Sequence, residues 1–165
     1  SNLNPVGLFS FLYFYPMRTI IQRVQHASVK VNGEITGQIN HGLLLLVGFE
    51  PDDHQEDFEW IAKKVTQLRI FGDENGVMNL DINQVDGDLL VVSQFTLHAS
   101  TKKGNRPSYI KASKPDLAIE QYNIFLNVLE STFKPVQKGI FGADMKVELL
   151  NDGPVTIYMD SRNKE

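Results

Sequence analysis

Residues 43–49 read Leu-Leu-Leu-Leu-Val-Gly-Phe, a continuously apolar run without any charge. A run of this kind is typical of a β-strand that is buried on both faces. His41 and Gly42 precede it, and Pro51-Asp52-Asp53 after it predicts a turn and the cap of a helix. We therefore expect an interior strand here, with a helix directly behind it.

Toward the N-terminus the pattern changes to alternation. Arg18–Gln25 place apolar and polar side chains in turn, which predicts a strand. Val29–Val31 and Glu34–Ile39 flank Asn32-Gly33, the strongest two-residue signal for a type I′ hairpin turn. Two further strands are thus expected before the apolar run.

Toward the C-terminus two helices are predicted. The apolar stripe of the first, at helical spacing, consists of Phe58, Ile61, Val65 and Leu68. A turn-rich segment (70–83) and a second apolar strand, Asp88–Leu97, separate it from the second helix. That helix starts at Ser113-Lys114-Pro115-Asp116, which matches a capping box with proline in the first turn. Its stripe consists of Ala118, Tyr122, Phe125, Leu129 and Phe133.

Two strands close the chain. Met145–Leu150 and Val155–Met159 predict them, joined through Asn151-Asp152-Gly153-Pro154. The predicted elements are therefore strands at both ends of the chain, with two helices and one further strand between them. The sequence therefore predicts a single α+β domain with a mainly antiparallel, barrel-like sheet as its core and two helices packed on it.

Composition limits the chemistry and the location. The 165 residues carry a net charge of −4 and include no cysteine, which excludes a disulfide scaffold, an iron–sulfur site and a thiol nucleophile. Residues 1–16 are uncharged, lack the basic start of a signal peptide and are too short to span a bilayer. We interpret residues 1–16 as a non-native or extended leader and 17–165 as the domain, and we expect a cytoplasmic protein with no membrane segment.

One basic loop interrupts this acidic chain. Between Leu89 and Pro115 there is no acid, and five of the sixteen basic residues fall there: Lys102, Lys103, Arg106, Lys111 and Lys114. Such a loop indicates a local anion site. A lysine-rich loop that is simply solvated explains the charge equally well.

The usual catalytic motifs are missing. The four histidines (His26, His41, His54 and His98) stand singly, so we expect no metal and no cofactor. No Gly-x-Ser-x-Gly elbow or phosphate-binding glycine loop occurs. Asp52-Asp53 and Asp73-Glu74 lie where helix caps and turns recruit acids for structural reasons.

Two segments carry residues that are unusual for their positions. Ser93-Gln94-Phe95-Thr96-Leu97 ends the second apolar strand, and alternation would put Gln94 and Thr96 on one face with Ser93 and Phe95 on the other. This arrangement indicates a binding pocket or, alternatively, an edge strand that surfaces into solvent. Gly153-Pro154 indicates either an ordinary turn or an unusual backbone.

These segments resemble the D-aminoacyl-tRNA deacylase family. The similarity rests on Ser-Gln-Phe-Thr-Leu (93–97), Lys-Gly-Asn-Arg-Pro-Ser (103–108) and Asn-Asp-Gly-Pro-Val-Thr (151–156), which occur in order. The opening Met-Arg-Thr-Ile-Ile-Gln-Arg-Val (17–24) is also similar. The resemblance extends from Met17 to about Asp160.

The resemblance implies a homodimeric enzyme that hydrolyses the ester of D-aminoacyl-tRNA and of mischarged glycyl-tRNA. In the family a Gly-cisPro motif enters the partner subunit's active site and excludes L-amino acids. That role would fall to Gly153 and Pro154, with Arg23 as a brace. The aminoacyl group and terminal adenosine would be held by Ser93, Gln94, Phe95 and Thr96.

The mechanism that fits this chain uses backbone N–H groups and the ribose 2′-OH. Thr96 would position the substrate by hydrogen bonding, because a threonine nucleophile needs a base and the family does not require a histidine at position 98. Lys102, Lys103 and Arg106 would contact acceptor-end phosphates. Two alternatives stay open: a sibling deacylase acting on L-alanyl-tRNA, and a non-catalytic module that binds RNA ends or small ligands.

Overall fold

The first strand organises the sheet. The computed structural model describes residues 16–165, and in it β1 (Arg18–Val31) pairs antiparallel with β2 (Glu34–Ile39), β3 (Gly42–Gly48) and β8 (Lys146–Asp160). The predicted hairpin is confirmed: Asn32 and Gly33 have φ angles of 51° and 80°, the positive values that a type I′ turn requires.

The apolar run forms an interior strand, as predicted. β3 lies between β1 and the parallel strand β6 (Asp88–Ser93), and β6 pairs in parallel with the short β7 (Gln137–Lys138). β7 returns close to β2, because a Cβ on Gly37 would lie 2.6 Å from the carbonyl oxygen of Lys138. The sheet is therefore mixed, mainly antiparallel and nearly closed into a barrel.

The two predicted helices are α1 (Gln55–Gln67) and α2 (Pro115–Thr132). They pack on each other and on the sheet, and their buried aromatic rings meet edge to face near the end of β3. This cluster consists of Phe49, Phe58 and Phe125.

The cap of α1 differs from the prediction. Its N-cap is His54 rather than Asp53. The Asp53 carboxylate turns back and accepts a hydrogen bond from the Glu50 N–H at 2.7 Å, so it closes the preceding turn instead.

Two strand predictions were wrong at their boundaries. The strand expected over 88–97 ends at Ser93, where the chain turns into a 3₁₀-helix, Phe95–His98. The two strands expected at the C-terminus are one strand, β8, because pairing with β1 resumes beyond Gly153-Pro154. The turn-rich segment holds a small hairpin of β4 (Phe71–Gly72) and β5 (Met78–Leu80).

The expected leader, apart from Pro16, lies outside the described residues. Among residues 16–165 no helix is both long and apolar enough to cross a membrane.

Candidate functional site

The segment after β6 is held by β3. Ser93 pairs with Val47, and the Gln94 N–H donates to the Val47 carbonyl at 2.7 Å. The chain then enters the 3₁₀-helix, which has three residues per turn. The strand alternation expected for Gln94, Phe95 and Thr96 is therefore wrong.

This turn brings two polar side chains together. Gln94 Nε2 donates a hydrogen bond to Thr96 Oγ1 at 2.5 Å. Because the threonine oxygen accepts this bond, its own proton is available to another acceptor. Phe95 between them is 55% exposed and meets Tyr109 edge to face, with 5.1 Å between ring centroids.

A small cavity of about 50 Å³ opens beside this turn. Ser93, Gln94 and Phe95 line it together with the end of β3 and with Phe141. The residues expected to hold an aminoacyl group are thus adjacent, and Thr96 is hydrogen-bonded to one of them. The arrangement presents hydroxyl, amide and aromatic groups to a ligand.

The Gly153-Pro154 loop is a wide bulge in β8. Gln22 pairs with Thr156 and Val24 with Asn151, so Arg23 of β1 lies opposite residues 152–155. The peptide bond between Gly153 and Pro154 is cis, and both residues are exposed.

Arg23 contacts both this loop and the β4–β5 region. Its Nε donates to the Asp152 carbonyl at 3.1 Å and lies 3.4 Å from the Asp152 carboxylate. Its Nη1 donates to the Ile70 carbonyl at 2.6 Å. Gly153 has a φ of +123°, and a Cβ there would lie 2.7 Å from Arg23 Nη2. A side chain at this position would therefore require the guanidinium to move.

The two parts of the predicted site lie at opposite ends of β3. Arg23 pairs with Leu43, whereas Ser93 pairs with Val47. Four residues of strand separate these positions by roughly 13 Å along the strand axis, and β1 and β3 lie between β8 and β6. Gly153 of one chain is consequently remote from Thr96 of the same chain.

The basic loop extends into solvent from a closed base. Ser100 and Ser108 exchange backbone hydrogen bonds of 2.8 and 2.9 Å. Lys102, Lys103 and Arg106 are exposed between them. Within residues 16–165 no ion pair or side-chain hydrogen bond engages these three side chains.

Sequence reasoning missed a buried polar cluster behind the 3₁₀-helix. His98 Nδ1 lies 2.7 Å from Glu50 Oε1, with both side chains at most 1% exposed. Burial raises the pKa of the neighbouring Asp53 to about 8. Glu50 directly follows the apolar run 43–49. This unusual position for an acid is the sequence signal that could have identified the cluster. In the described part of the chain, no three His, Cys, Asp or Glu side chains are grouped as metal ligands would be.

Comparison with known proteins identifies close relatives. The sequence profile of the D-Tyr-tRNA(Tyr) deacylase family matches residues 20–160. D-aminoacyl-tRNA deacylases of Parabacteroides distasonis and Flavobacterium johnsoniae are each 65% identical over 150 residues, covering 90% of this chain and 100% of theirs.

Two solved structures share the fold of this chain. A c-Myc DNA unwinding element binding protein superimposes with a TM-score of 0.82 at 39% identity, covering 86% of this chain and 97% of its own. A probable eukaryotic D-amino acid tRNA deacylase gives a TM-score of 0.74 at 16% identity, covering 88% and 99%.

Proposed function

This chain belongs to the D-Tyr-tRNA(Tyr) deacylase family of enzymes, and we propose that it hydrolyses the ester bond between a D-amino acid and its tRNA. The observation that carries this proposal is the 65% identity to D-aminoacyl-tRNA deacylases over their whole length. The products are free tRNA and the free amino acid, so the activity is chiral proofreading. Mischarged glycyl-tRNA is a second substrate, because glycine has no side chain that the site could exclude.

Hydrolysis of such an ester needs a positioned water and stabilisation of the oxyanion. We assign the second task to the Thr96 hydroxyl and to backbone N–H groups at the start of the 3₁₀-helix, which lack intrahelical partners. The Gln94–Thr96 hydrogen bond supports this assignment, because it leaves the threonine proton free to donate. Among the described residues no side chain accepts that proton, which argues against Thr96 as a nucleophile.

Rejection of L-amino acids is assigned to Gly153 and Pro154 of a second subunit. A backbone loop discriminates by close approach to the substrate α-carbon, where an L side chain would collide with it. The distance between Gly153 and Thr96 along β3 supports action in trans, and hence a homodimer. Arg23, bonded to both Asp152 and Ile70, holds the loop in place.

The basic loop is proposed to contact the acceptor end of tRNA. Its three exposed cations, Lys102, Lys103 and Arg106, have no internal partners among the described residues. Contacts to phosphates position a nucleic acid without reading its sequence, which suits an enzyme that accepts many tRNAs. Free aminoacyl-tRNA is a cytoplasmic substrate, so we place the activity there.

Ester loss from four substrates tests the proposal: D-Tyr-tRNA, L-Tyr-tRNA, Gly-tRNA and L-Ala-tRNA. We expect rapid loss of the D-tyrosyl and glycyl esters and retention of the two L-esters. Loss of L-Ala-tRNA would indicate the sibling activity instead. If no ester is lost but the tRNA binds, the chain is a binding module and the proposal is refuted.

A further inference from the structure

The 3₁₀-helix that carries Thr96 has a second attachment on its buried side. His98, its last residue, places Nδ1 2.7 Å from Glu50 Oε1, and the two side chains are 0% and 1% exposed. Nδ1 and Oε1 are thus the two ends of one short hydrogen bond between the imidazole and the carboxyl group. In the described part of the chain, His98 Nε2 and Glu50 Oε2 have no partner, which makes the Nδ1–Oε1 contact the sole side-chain bond of the pair.

Glu50 is itself immobilised by its surroundings. Its N–H donates to the Asp53 carboxylate at 2.7 Å, and its carbonyl accepts from the Asp53 N–H at 3.0 Å and from Gln121 Nε2 at 2.9 Å. The residue is therefore bonded to the turn before α1 and to a side chain of α2. A group bonded to Glu50 is fixed relative to both helices.

The space for His98 is also specific. A Cβ on Gly48 would lie 2.9 Å from His98 Cδ2 and 2.8 Å from the Gln94 carbonyl oxygen. The end of β3 thus accommodates the imidazole and the start of the 3₁₀-helix because residue 48 has no side chain. Both ends of the turn that presents Thr96 rest on this strand end.

A four-residue 3₁₀-helix has little rigidity of its own, because its hydrogen bonds are few and poorly aligned. Its position depends on attachments: Gln94 N–H to Val47 at one end, the Arg18 guanidinium on the Leu97 carbonyl at 3.0 Å, and His98 to Glu50 at the other end. Of these, only the His98–Glu50 contact anchors the turn to the helical layer.

We infer that His98 is a positioning residue, which through Glu50 fixes the Thr96 hydroxyl at the distance the reaction needs. The inference rests on the proposed deacylase function for its kinetic consequence. A misplacement of about 1 Å at a reacting group reduces turnover by roughly 100-fold. Removing the contact should therefore lower kcat more than it raises KM, because the tRNA contacts proposed for the basic loop lie outside this turn.

The experiment compares variants of the full chain on D-Tyr-tRNA. His98→Leu removes the hydrogen bond, and His98→Asn retains a donor close to the position of Nδ1. His98→Leu/Glu50→Leu replaces the whole pair by apolar groups, which avoids an unpaired buried carboxylate. Thr66→Val, which removes a buried hydrogen bond to Ala62 inside α1, is the matched control. A ¹³C-methyl NMR signal of Thr96 reports the position of the turn without catalysis.

We expect His98→Leu to lower kcat about 10- to 100-fold with KM within about threefold, and to shift the Thr96 methyl signal. His98→Asn should stay within about fivefold of wild type, and the control should not move kcat. The double variant should regain stability without regaining kcat, and it carries the test if His98→Leu does not fold. Wild-type kcat in His98→Leu, or recovery of kcat in the double variant, overturns the inference.

An inactive wild-type chain would instead refute the proposed deacylase function. The Thr96 methyl signal would then still test the positioning. An unmoved signal in His98→Leu, or in the double variant if that one alone folds, refutes it independently of any activity.

Discussion

Gly153→Ala tests the junction between Arg23 and the exposed loop of β8. The new Cβ would lie 2.7 Å from Arg23 Nη2, whereas ordinary contact begins at 3.4 Å. The guanidinium must retreat, which weakens its bonds to Asp152 and Ile70. A hydrogen bond to a charged group contributes about 1.5–3 kcal/mol, and a φ of +123° adds about 1–3 kcal/mol of strain for alanine.

We therefore expect Gly153→Ala to lower the free energy of unfolding by about 3 kcal/mol. For a chain of this length the melting temperature then falls by roughly 6–12 °C. If the loop selects chirality, the ratio of kcat/KM for D-Tyr-tRNA over L-Tyr-tRNA should fall at least about tenfold. Thermal unfolding and parallel ester-loss assays measure the two effects.

Gly33→Ala is the matched control. Gly33 also has a positive φ, +80°, but a Cβ there meets nothing within 4 Å. Only backbone strain of about 1–2 kcal/mol is expected, with no change in selectivity. The reasoning fails if the two variants lose equal stability and both keep the D-over-L ratio of the wild-type chain.

Three further predictions concern Thr96, the basic loop and Asp53. Thr96→Val should lower kcat about 100-fold, while Thr96→Ser stays within about fivefold; equal turnover of all three proteins would remove the hydroxyl from the reaction. Replacing Lys102, Lys103 and Arg106 by alanine should reduce the slope of log affinity for tRNA against log salt by about two; an unchanged slope would exclude the loop from the interface. Burial raises the pKa of Asp53 from 3.8 to about 8, so the folded state holds a proton that the unfolded state releases, and this group makes stability fall as pH rises from about 4 to about 8. Asp53→Asn should flatten that part of the stability–pH curve by up to about 6 kcal/mol; a curve with the wild-type slope would contradict the raised pKa.

Local patterns predicted the elements whose causes are local. The β1–β2 hairpin follows from Asn32-Gly33, and the interior position of β3 follows from its uninterrupted apolar run. Both depend on residues within a few positions of each other. The helix stripes, at periodic spacing, predicted the buried faces of α1 and α2 for the same reason.

The misplaced boundaries have distant causes. Thr96 and Leu97 continue the strand pattern, but the ladder ends with the hydrogen bond from Gln94 to Val47, 47 residues earlier, because β3 itself ends at Gly48. Gly153-Pro154 predicted an end to the strand, yet β8 bulges around Arg23, 130 residues away, and resumes pairing. No window of sequence contains both partners of such contacts.

The candidate site also contains residues that local patterns predicted and residues whose contacts are distant in the sequence. Ser93, Gln94, Phe95 and Thr96 could be singled out because polar residues at the end of an apolar strand are unusual. The contact between His98 and Glu50 could not, because it depends on two elements that meet only in the folded chain. The sequence indicated candidate binding residues, and the fold added a contact that anchors the turn on which they lie.

The closed base of the basic loop also affects how such an enzyme can diverge. Since Ser100 and Ser108 seal the loop with backbone hydrogen bonds, its length between residues 101 and 107 is decoupled from the Thr96 turn. Each doubling of a flexible loop costs only about 0.6 kcal/mol. Insertions, deletions and charge changes there would alter the proposed contact with tRNA phosphates without moving the Thr96 turn. If the loop binds tRNA as proposed, affinity for tRNA and catalytic rate can therefore evolve as separate traits in this fold.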